Sequence, residues 1–111
     1  MKLLEFVDYL LSPAKLAGFY RDLGLFPELV DEYGVAIYMV GSTIDLDADI
    51  RLLSYRETRG RTEIHLDGNA YVYVVDVDLA SDLIKDSKAD VVTKLDQANR
   101  IIYHALYDYR A

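Results

Sequence analysis

Residues 62–77, TEIHLDGNAYVYVVDV, contain two runs of alternating apolar residues joined by a tight-turn sequence. Either Asp67-Gly68 or Gly68-Asn69 can adopt the positive φ angles that a two-residue hairpin turn requires. The run from Thr62 to Asp67 and the run from Ala70 to Val77 therefore predict a β-hairpin. In the second run, the period of two places Tyr71, Tyr73, Val75 and Val77 on one face, and Ala70, Val72 and Val74 on the other.

Further strands are predicted on the N-terminal side of this hairpin. Val35 to Val40 is a continuous apolar run between glycines, which is typical of a strand buried on both faces. Arg51 to Glu57 is predicted as another strand, connected to the hairpin by the polar loop around Gly60. Between these two strands, Ile44 to Ile50 alternates apolar residues with aspartates. This alternation predicts a half-buried strand, with a helix that begins near Asp47 as the alternative.

Helical periodicity predicts two α-helices at the start of the chain. Ser12-Pro13 ends the first helix and begins the second, because serine caps helix N-termini and proline is tolerated at the first helical position. Gly24 predicts the end of the second helix, and residues 27–33 predict a further helical turn. The two apolar faces comprise Leu3, Phe6, Val7, Leu10 and Leu11 in the first helix, and Leu16, Phe19, Tyr20 and Leu23 in the second.

The last third of the chain is also predicted to be helical. A first segment covers Leu79 to Asp86, and Ser87 with Asp90 predicts a capping box for a longer second helix. The apolar seam of that helix comprises Val91, Leu95, Ala98, Ile102, Ala105 and Tyr109. We expect the sheet of the same domain to cover this seam, and a homodimer through the C-terminal helix is the alternative.

These elements predict one α+β domain over residues 1–111. In this fold, N-terminal helices precede an antiparallel β-meander of four to five strands, and a long C-terminal helix packs on the sheet. A chain of 111 residues builds one core, and its 52% hydrophobic content is typical of chains that fold.

Composition narrows the range of functions. The chain has no cysteine, which excludes disulfides, thiolate metal sites and cysteine nucleophiles and favours a cytoplasmic location. Its net charge of −7 argues against nucleic-acid binding, which needs a cationic surface. No apolar stretch reaches the length of about eighteen residues that a membrane span requires. Glu5 and Asp8 interrupt the N-terminal apolar run, which argues against a secretory signal.

Asp45, Asp47 and Asp49 match the first ligand positions of an EF-hand calcium loop. The match then fails, because Ile50 and Arg56 occupy the positions of the loop's glycine and glutamate. In a strand these three aspartates form a solvated face, and an acidic partner-binding stripe is the alternative interpretation.

The remaining candidates for catalysis lack the required spacing. His65 and His104 lie in distant segments without a metal-ligand motif, and the serines lack the flanking glycines of a nucleophile elbow. Asp76 and Asp78, at the end of the last predicted strand, are a carboxylate pair suited to acid–base chemistry, but aspartates at this position also cap helices. We therefore predict no catalytic residue, cofactor or metal, and we interpret the chain as a non-enzyme.

Tyrosine is unusually frequent, with ten in 111 residues. Tyrosine is enriched at protein interfaces, because its ring is apolar and its hydroxyl is polar. The sequence thus predicts an acidic protein-interaction domain, for example an inhibitor, immunity protein or chaperone for a basic partner. Its predicted partner-binding residues are Asp45, Asp47, Asp49, Tyr71, Tyr73, Tyr103 and Tyr107. The alternatives are a small enzyme or divalent-cation- or ligand-binding domain that uses carboxylates, and a structural homo-oligomer.

Overall fold

A computed structural model describes residues 1–25, 34–85 and 94–108. The strands are β1 (Val35–Val40), β2 (Ile50–Ser54), β3 (Glu63–Leu66) and β4 (Asn69–Asp76). The helices are α1 (Leu3–Leu10), α2 (Pro13–Asp22), α3 (Tyr55–Thr58), α4 (Val77–Lys85) and α5 (Lys94–Tyr103), and a π-helical turn, His104–Asp108, continues α5. The α+β prediction is confirmed. Among the helices described, none is long and apolar enough to cross a membrane.

The four strands form one antiparallel sheet with the order β2-β1-β4-β3. The sheet is therefore not a consecutive meander, because β4 pairs with β1 and β2 lies at an edge. This order places the two most apolar strands in the centre, where both faces of a strand are covered. The prediction that β1 is a buried strand is confirmed, since its first five residues are buried.

The predicted β3–β4 hairpin is confirmed, and its turn is Asp67-Gly68. Asp67 has a φ of 53° and Gly68 a φ of 81°, and the flanking residues Leu66 and Asn69 pair across the turn. Positive φ at both central residues matches the right-handed twist of the two strands.

A β-bulge at Val74 divides β4 into two parts. Val75 pairs with Ile37, but Tyr73 pairs with the next residue of β1, which leaves Val74 as the extra residue. The predicted common face of Tyr71, Tyr73, Val75 and Val77 is therefore wrong. A single inserted residue reverses the alternation of side chains beyond it.

Two hydrophobic clusters lie on the two faces of the sheet. The main core combines sheet residues with the helices, and its largest fully buried side chains are Phe6, Leu3, Ile37, Met39, Ile84, Ile101, Val7, Val74, Val75 and Val77. The smaller cluster on the other face comprises Ala36, Tyr38, Leu53, Ile64 and Tyr71, with Leu66 and Tyr73 packed against it.

Residues 44–49 form neither the predicted strand nor the alternative helix. The backbone N–H of Asp47 donates a hydrogen bond to Oδ1 of Asp45 at 2.9 Å, and the N–H of Ala48 donates to the Asp45 carbonyl at 3.1 Å. Such aspartate turns compete with strand pairing. The strand β2 begins only at Ile50.

The strand predicted over Arg51–Glu57 ends at Ser54, and α3 begins at the next residue. The backbone N–H of Glu57 donates to Ser54 Oγ at 3.3 Å, and the N–H of Ser54 donates to Glu57 Oε1 at 3.2 Å. This capping box satisfies helix-terminal donors and turns the chain away from the sheet.

The N-terminal helices agree with the prediction. Ser12 caps α2, Pro13 occupies its first position, and Gly24 has a φ of 75° just beyond its end. The apolar faces are buried or half-buried except for Leu11 and Leu23, which are exposed because they lie at helix ends.

The C-terminal helix packs in the helical layer over the sheet, where it contacts α1 and α4. Its buried residues are Gln97, Ala98 and Ile101, followed by Ala105 in the π-helical turn. The predicted seam was partly wrong, since Leu95 is exposed and Ile102 is half-buried. The buried stripe includes the small residues Ala98 and Ala105, and small side chains let neighbouring elements approach a helix closely.

Several predicted features lie outside the described residues. They are the helical turn over residues 27–33, the capping box of Ser87 and Asp90, and the seam residues Val91 and Tyr109.

Candidate functional site

A cavity of about 300 Å³ opens where β1, α3, the end of β4 and α4 meet. The side chains that carry chemistry in its lining are Tyr38, Tyr55, Tyr73, Asp76, Asp78 and Asp82. We call this site the acidic tyrosine pocket.

The junction between β4 and α4 positions the three aspartates. Asp76 is the last residue of β4, and α4 begins at the next residue, which places Asp78 in its first turn. Asp82 lies four positions later, and residues at that spacing share one face of a helix. Three exposed carboxylates therefore stand together at the pocket.

Tyr38 and Tyr73 form the aromatic wall. Their ring centroids lie 5.7 Å apart at an interplanar angle of 74°, which is the favourable edge-to-face arrangement. Tyr38 is only 1% exposed, and its hydroxyl donates a hydrogen bond to the Arg61 carbonyl. The bulge at Val74 keeps Tyr73 on this face of the sheet, because it absorbs the change in register.

Tyr73 also contacts one of the carboxylates directly. Its hydroxyl donates a hydrogen bond to Oδ1 of Asp76 at 3.1 Å. Burial, and after it the charge of Asp76, raises the pKa of Tyr73 well above its ordinary value. The Tyr73 hydroxyl therefore remains a hydrogen-bond donor. Among the described residues, no donor contacts the second carboxylate oxygen of Asp76.

Tyr55 forms the outer wall of the pocket from α3 and is 52% exposed. Its ring lies against Gly60, whose φ is 75°. A Cβ atom at position 60 would stand 3.0 Å from Cε2 of Tyr55. Glycine thus permits both the turn after α3 and the close approach of the ring.

The charged side chains in the described lining of the pocket are all acidic, although the charge of Arg61 also reaches Tyr38 in its wall. No described lysine, arginine or histidine lines it. The described ion pairs join Asp49 to the N-terminus and to Lys2, Asp67 to Arg51, and Asp8 to Lys94, so they involve none of the pocket carboxylates. Burial, and next the charge of Asp78, raises the pKa of Tyr20 in α2.

The pocket carboxylates surround a volume and do not converge on one point. Within residues 1–25, 34–85 and 94–108, no three histidine, aspartate or glutamate side chains are grouped closely enough to hold a metal ion.

The predicted acidic stripe lies in the turn over residues 44–49. Asp45 accepts the backbone hydrogen bond that forms this turn, and Asp47 is exposed. Asp49 lies 3.6 Å from the N-terminal ammonium and 4.0 Å from Lys2 Nζ. Two of the three aspartates therefore have local structural contacts, and their role in partner binding stays a prediction.

Tyr71 is part of a network on the sheet face that carries the smaller cluster. It is 5% exposed, and its hydroxyl accepts a hydrogen bond from Arg51 Nη1 at 3.2 Å. The Arg51 guanidinium lies 5.5 Å from the ring centroid of Tyr71, and the same Nη1 donates to Asp67 Oδ2 at 3.1 Å. The ring is thus engaged within the chain and offers little surface to a partner.

Tyr103 and Tyr107 are exposed, at 60% and 68%, and their ring centroids lie 4.7 Å apart. Leu95 and Leu106 are exposed on the same helical segment. We call Leu95, Tyr103, Leu106 and Tyr107 the C-terminal stripe. Its exposure agrees with a contact surface, and its role in binding stays a prediction.

The sequence predicted Tyr73 as a partner-binding residue. It indicated Asp76 and Asp78 as a carboxylate pair but favoured a helix-capping role for them, and it gave no role to Tyr38, Tyr55 and Asp82. Asp82 had a detectable signal, because two aspartates at positions i and i+4 repel each other on one helix face. Tyr38 and Tyr55 had none, because their position at the pocket depends on strand order and on the early end of β2.

Comparisons with protein-family models, with curated proteins and with solved structures found no match.

Proposed function

We propose that this chain is a non-enzymatic protein-interaction domain that binds a basic partner, and that the acidic tyrosine pocket takes a cationic side chain of this partner. The supporting observation is the grouping of three aspartates without a described counter-ion around a tyrosine-walled cavity of about 300 Å³.

The size of the cavity favours a single side chain as its occupant. Pockets for drug-sized ligands and cofactors span about 300 to 1,000 Å³, so this cavity lies at the lower limit. Both kinds of lining group attract cations, since carboxylates form charge-assisted hydrogen bonds and aromatic faces bind cations through their quadrupole.

The charge of the whole chain supports the same class of partner. A net charge of −7 increases the association rate with a basic protein and repels other acidic proteins. Inhibitors, immunity proteins and chaperones of basic proteins act in this way. A cytoplasmic location belongs to the same proposal and rests on the absence of cysteine.

Titration of the chain with a short peptide rich in lysine and arginine tests the proposal by calorimetry. Asp78→Asn with Asp82→Asn removes two charges from the pocket, and Asp22→Asn with Glu63→Gln removes two exposed charges elsewhere. We expect the pocket variant to weaken binding about tenfold more than the control variant. Equal losses in both variants would show that binding follows net charge and does not use the pocket.

A structural homo-oligomer is a second candidate, supported by the exposed C-terminal stripe. The exposed charges beside the stripe on α5, Lys94, Asp96 and Arg100, include both signs. Two copies of this helix can therefore approach without the repulsion that the net charge produces elsewhere.

Sedimentation over a concentration series tests self-association. We expect a dimer that Tyr107→Lys converts to a monomer, because a charge replaces an exposed ring of the stripe. A wild-type chain that remains monomeric at the highest concentration contradicts this second candidate.

A further inference from the structure

We infer that the acidic tyrosine pocket is selective for a guanidinium group, so that the partner residue it takes is an arginine and not a lysine. This inference rests on the proposed function and specifies the chemistry of the partner.

The chain already holds one guanidinium, that of Arg51, with a tyrosine and an aspartate. Arg51 lies over the ring of Tyr71, and its Nη1 donates to the Tyr71 hydroxyl and to the Asp67 carboxylate. Tyr71 belongs to the same cluster as Tyr38 and Tyr73 of the pocket. Tyr71 on this sheet face and Asp67 in the β3–β4 turn therefore hold a guanidinium together.

The pocket offers the same two kinds of group, a tyrosine ring and an aspartate carboxylate, and more than one of each. The Tyr73 hydroxyl donates a hydrogen bond to Oδ1 of Asp76 and thereby orients this carboxylate. The other carboxylate oxygen of Asp76 has no donor among the described residues. The exposed ring of Tyr55 supplies a second aromatic surface. A planar guanidinium can stack on a ring and pair with a carboxylate at once, whereas an ammonium is a strongly hydrated point charge that does neither as well.

In the unbound chain, two carboxylates of the pocket repel each other on α4. Asp78 and Asp82 are like charges four residues apart on α4, and such pairs destabilise a helix. A cation between them would remove this repulsion. We therefore expect the unoccupied pocket to lower the stability of the fold, as binding sites commonly do.

The test is a titration of the full chain, followed by backbone amide NMR shifts, with three capped pentapeptides whose central residue is arginine, lysine or citrulline. We expect the arginine peptide to shift the amides of residues 76–82 and to bind about tenfold more tightly than the lysine peptide. Citrulline has the shape of arginine without its charge, so we expect its peptide to leave these amides unshifted.

The outcomes separate this inference from the proposed function. Equal affinity for the arginine and lysine peptides overturns guanidinium selectivity but leaves binding of a basic partner intact. Failure of all three peptides, together with failure of the longer basic peptide, overturns both. Agmatine carries a guanidinium on a small molecule and tests whether the ligand is a free compound. Tighter binding of agmatine than of the arginine peptide would contradict a protein as the source of the guanidinium.

Asp82→Asn distinguishes a binding role from a structural one. We expect this variant to raise the midpoint of thermal unfolding and to weaken binding of the arginine peptide. Glu63→Gln, at an exposed position outside the pocket lining, is the matched control, and we expect it to leave affinity for the arginine peptide unchanged within twofold. A variant Asp82→Asn that unfolds at a lower temperature and retains wild-type affinity contradicts the inference. Asp78→Asn repeats the affinity test at the other carboxylate of α4.

Discussion

Gly60 shows how a single backbone position shapes the wall of the acidic tyrosine pocket. It follows Arg59, which also has a positive φ of 55°, and the two residues together reverse the chain after α3. Only a residue without a Cβ adopts this conformation at no steric cost.

Gly60→Ala is expected to lower the free energy of unfolding by about 1 to 2 kcal/mol, because alanine is strained at positive φ and its Cβ would crowd Tyr55. Gly18→Ala is the matched control, since it lies within α2 with no atom within 4 Å of the added Cβ. We expect Gly18→Ala to raise stability by up to about 1 kcal/mol. Urea denaturation measures both, and equal effects would refute the role of the positive φ.

Tyr38 makes a buried hydrogen bond from its side chain to the backbone. Its hydroxyl is buried and donates to the Arg61 carbonyl, so Tyr38→Phe leaves that carbonyl without its partner. We expect a loss of about 1 kcal/mol in the free energy of unfolding. Tyr55→Phe removes an exposed hydroxyl and is expected to change stability by less than about 0.5 kcal/mol. Chemical denaturation of the two variants in parallel measures both losses, and a similar loss in both would contradict the prediction.

At the scale of elements, α3 is short but decides where β2 ends. Four residues of helix cannot be stable through their own hydrogen bonds, because helix nucleation is unfavourable. The Ser54–Glu57 capping box and the burial of Ser54 stabilise this short helix instead. This cap therefore also positions Tyr55 at the pocket.

Ser54→Ala is expected to lower the free energy of unfolding by about 1 to 2 kcal/mol. Ser12→Ala, at the start of α2, is expected to cost less. The Ser12 hydroxyl accepts its capping hydrogen bond at 3.5 Å and lacks a glutamate partner, whereas Ser54 accepts at 3.3 Å within a reciprocal pair. Thermal unfolding of the two variants gives the comparison, and a larger loss for Ser12→Ala would contradict it.

At the scale of the whole molecule, the chain buries several tyrosines beside aspartates. Burial is the largest cause of the raised pKa of Tyr20, Tyr38 and Tyr73, and the charge of Asp78 or Asp76 adds to it. The folded state therefore holds these hydroxyls neutral at a pH where the unfolded chain ionises them.

Stability is expected to fall as pH rises above about 10, the ordinary pKa of tyrosine. A group with a raised pKa in the folded state contributes its full stabilisation below the unfolded pKa and loses it as pH rises. We expect Tyr73→Phe to reduce the slope of this decline, because phenylalanine does not ionise. Urea denaturation across pH 9 to about 11 measures the slope, and the same decline in wild type and Tyr73→Phe would contradict the assignment.

The amino-acid sequence by itself determined the elements that depend on near neighbours. The β3–β4 hairpin follows from Asp67-Gly68, the division between α1 and α2 follows from Ser12-Pro13, and the buried strand β1 follows from its continuous apolar run. In each case the decisive interaction spans only a few residues, so that local propensity and pattern are sufficient. The α+β class follows from the order of these elements.

Only the tertiary structure decided which strands became neighbours and which side chains came together. The pairing of β4 with β1 places the bulge at Val74, and the bulge assigns Tyr73 to the face of Tyr38. The turn at Asp45 and the cap at Ser54 replaced the predicted strands, because local side-chain hydrogen bonds there outcompeted pairing in the sheet. The pocket joins residues that are far apart along the chain, and contacts of that kind depend on packing, which no short sequence pattern contains.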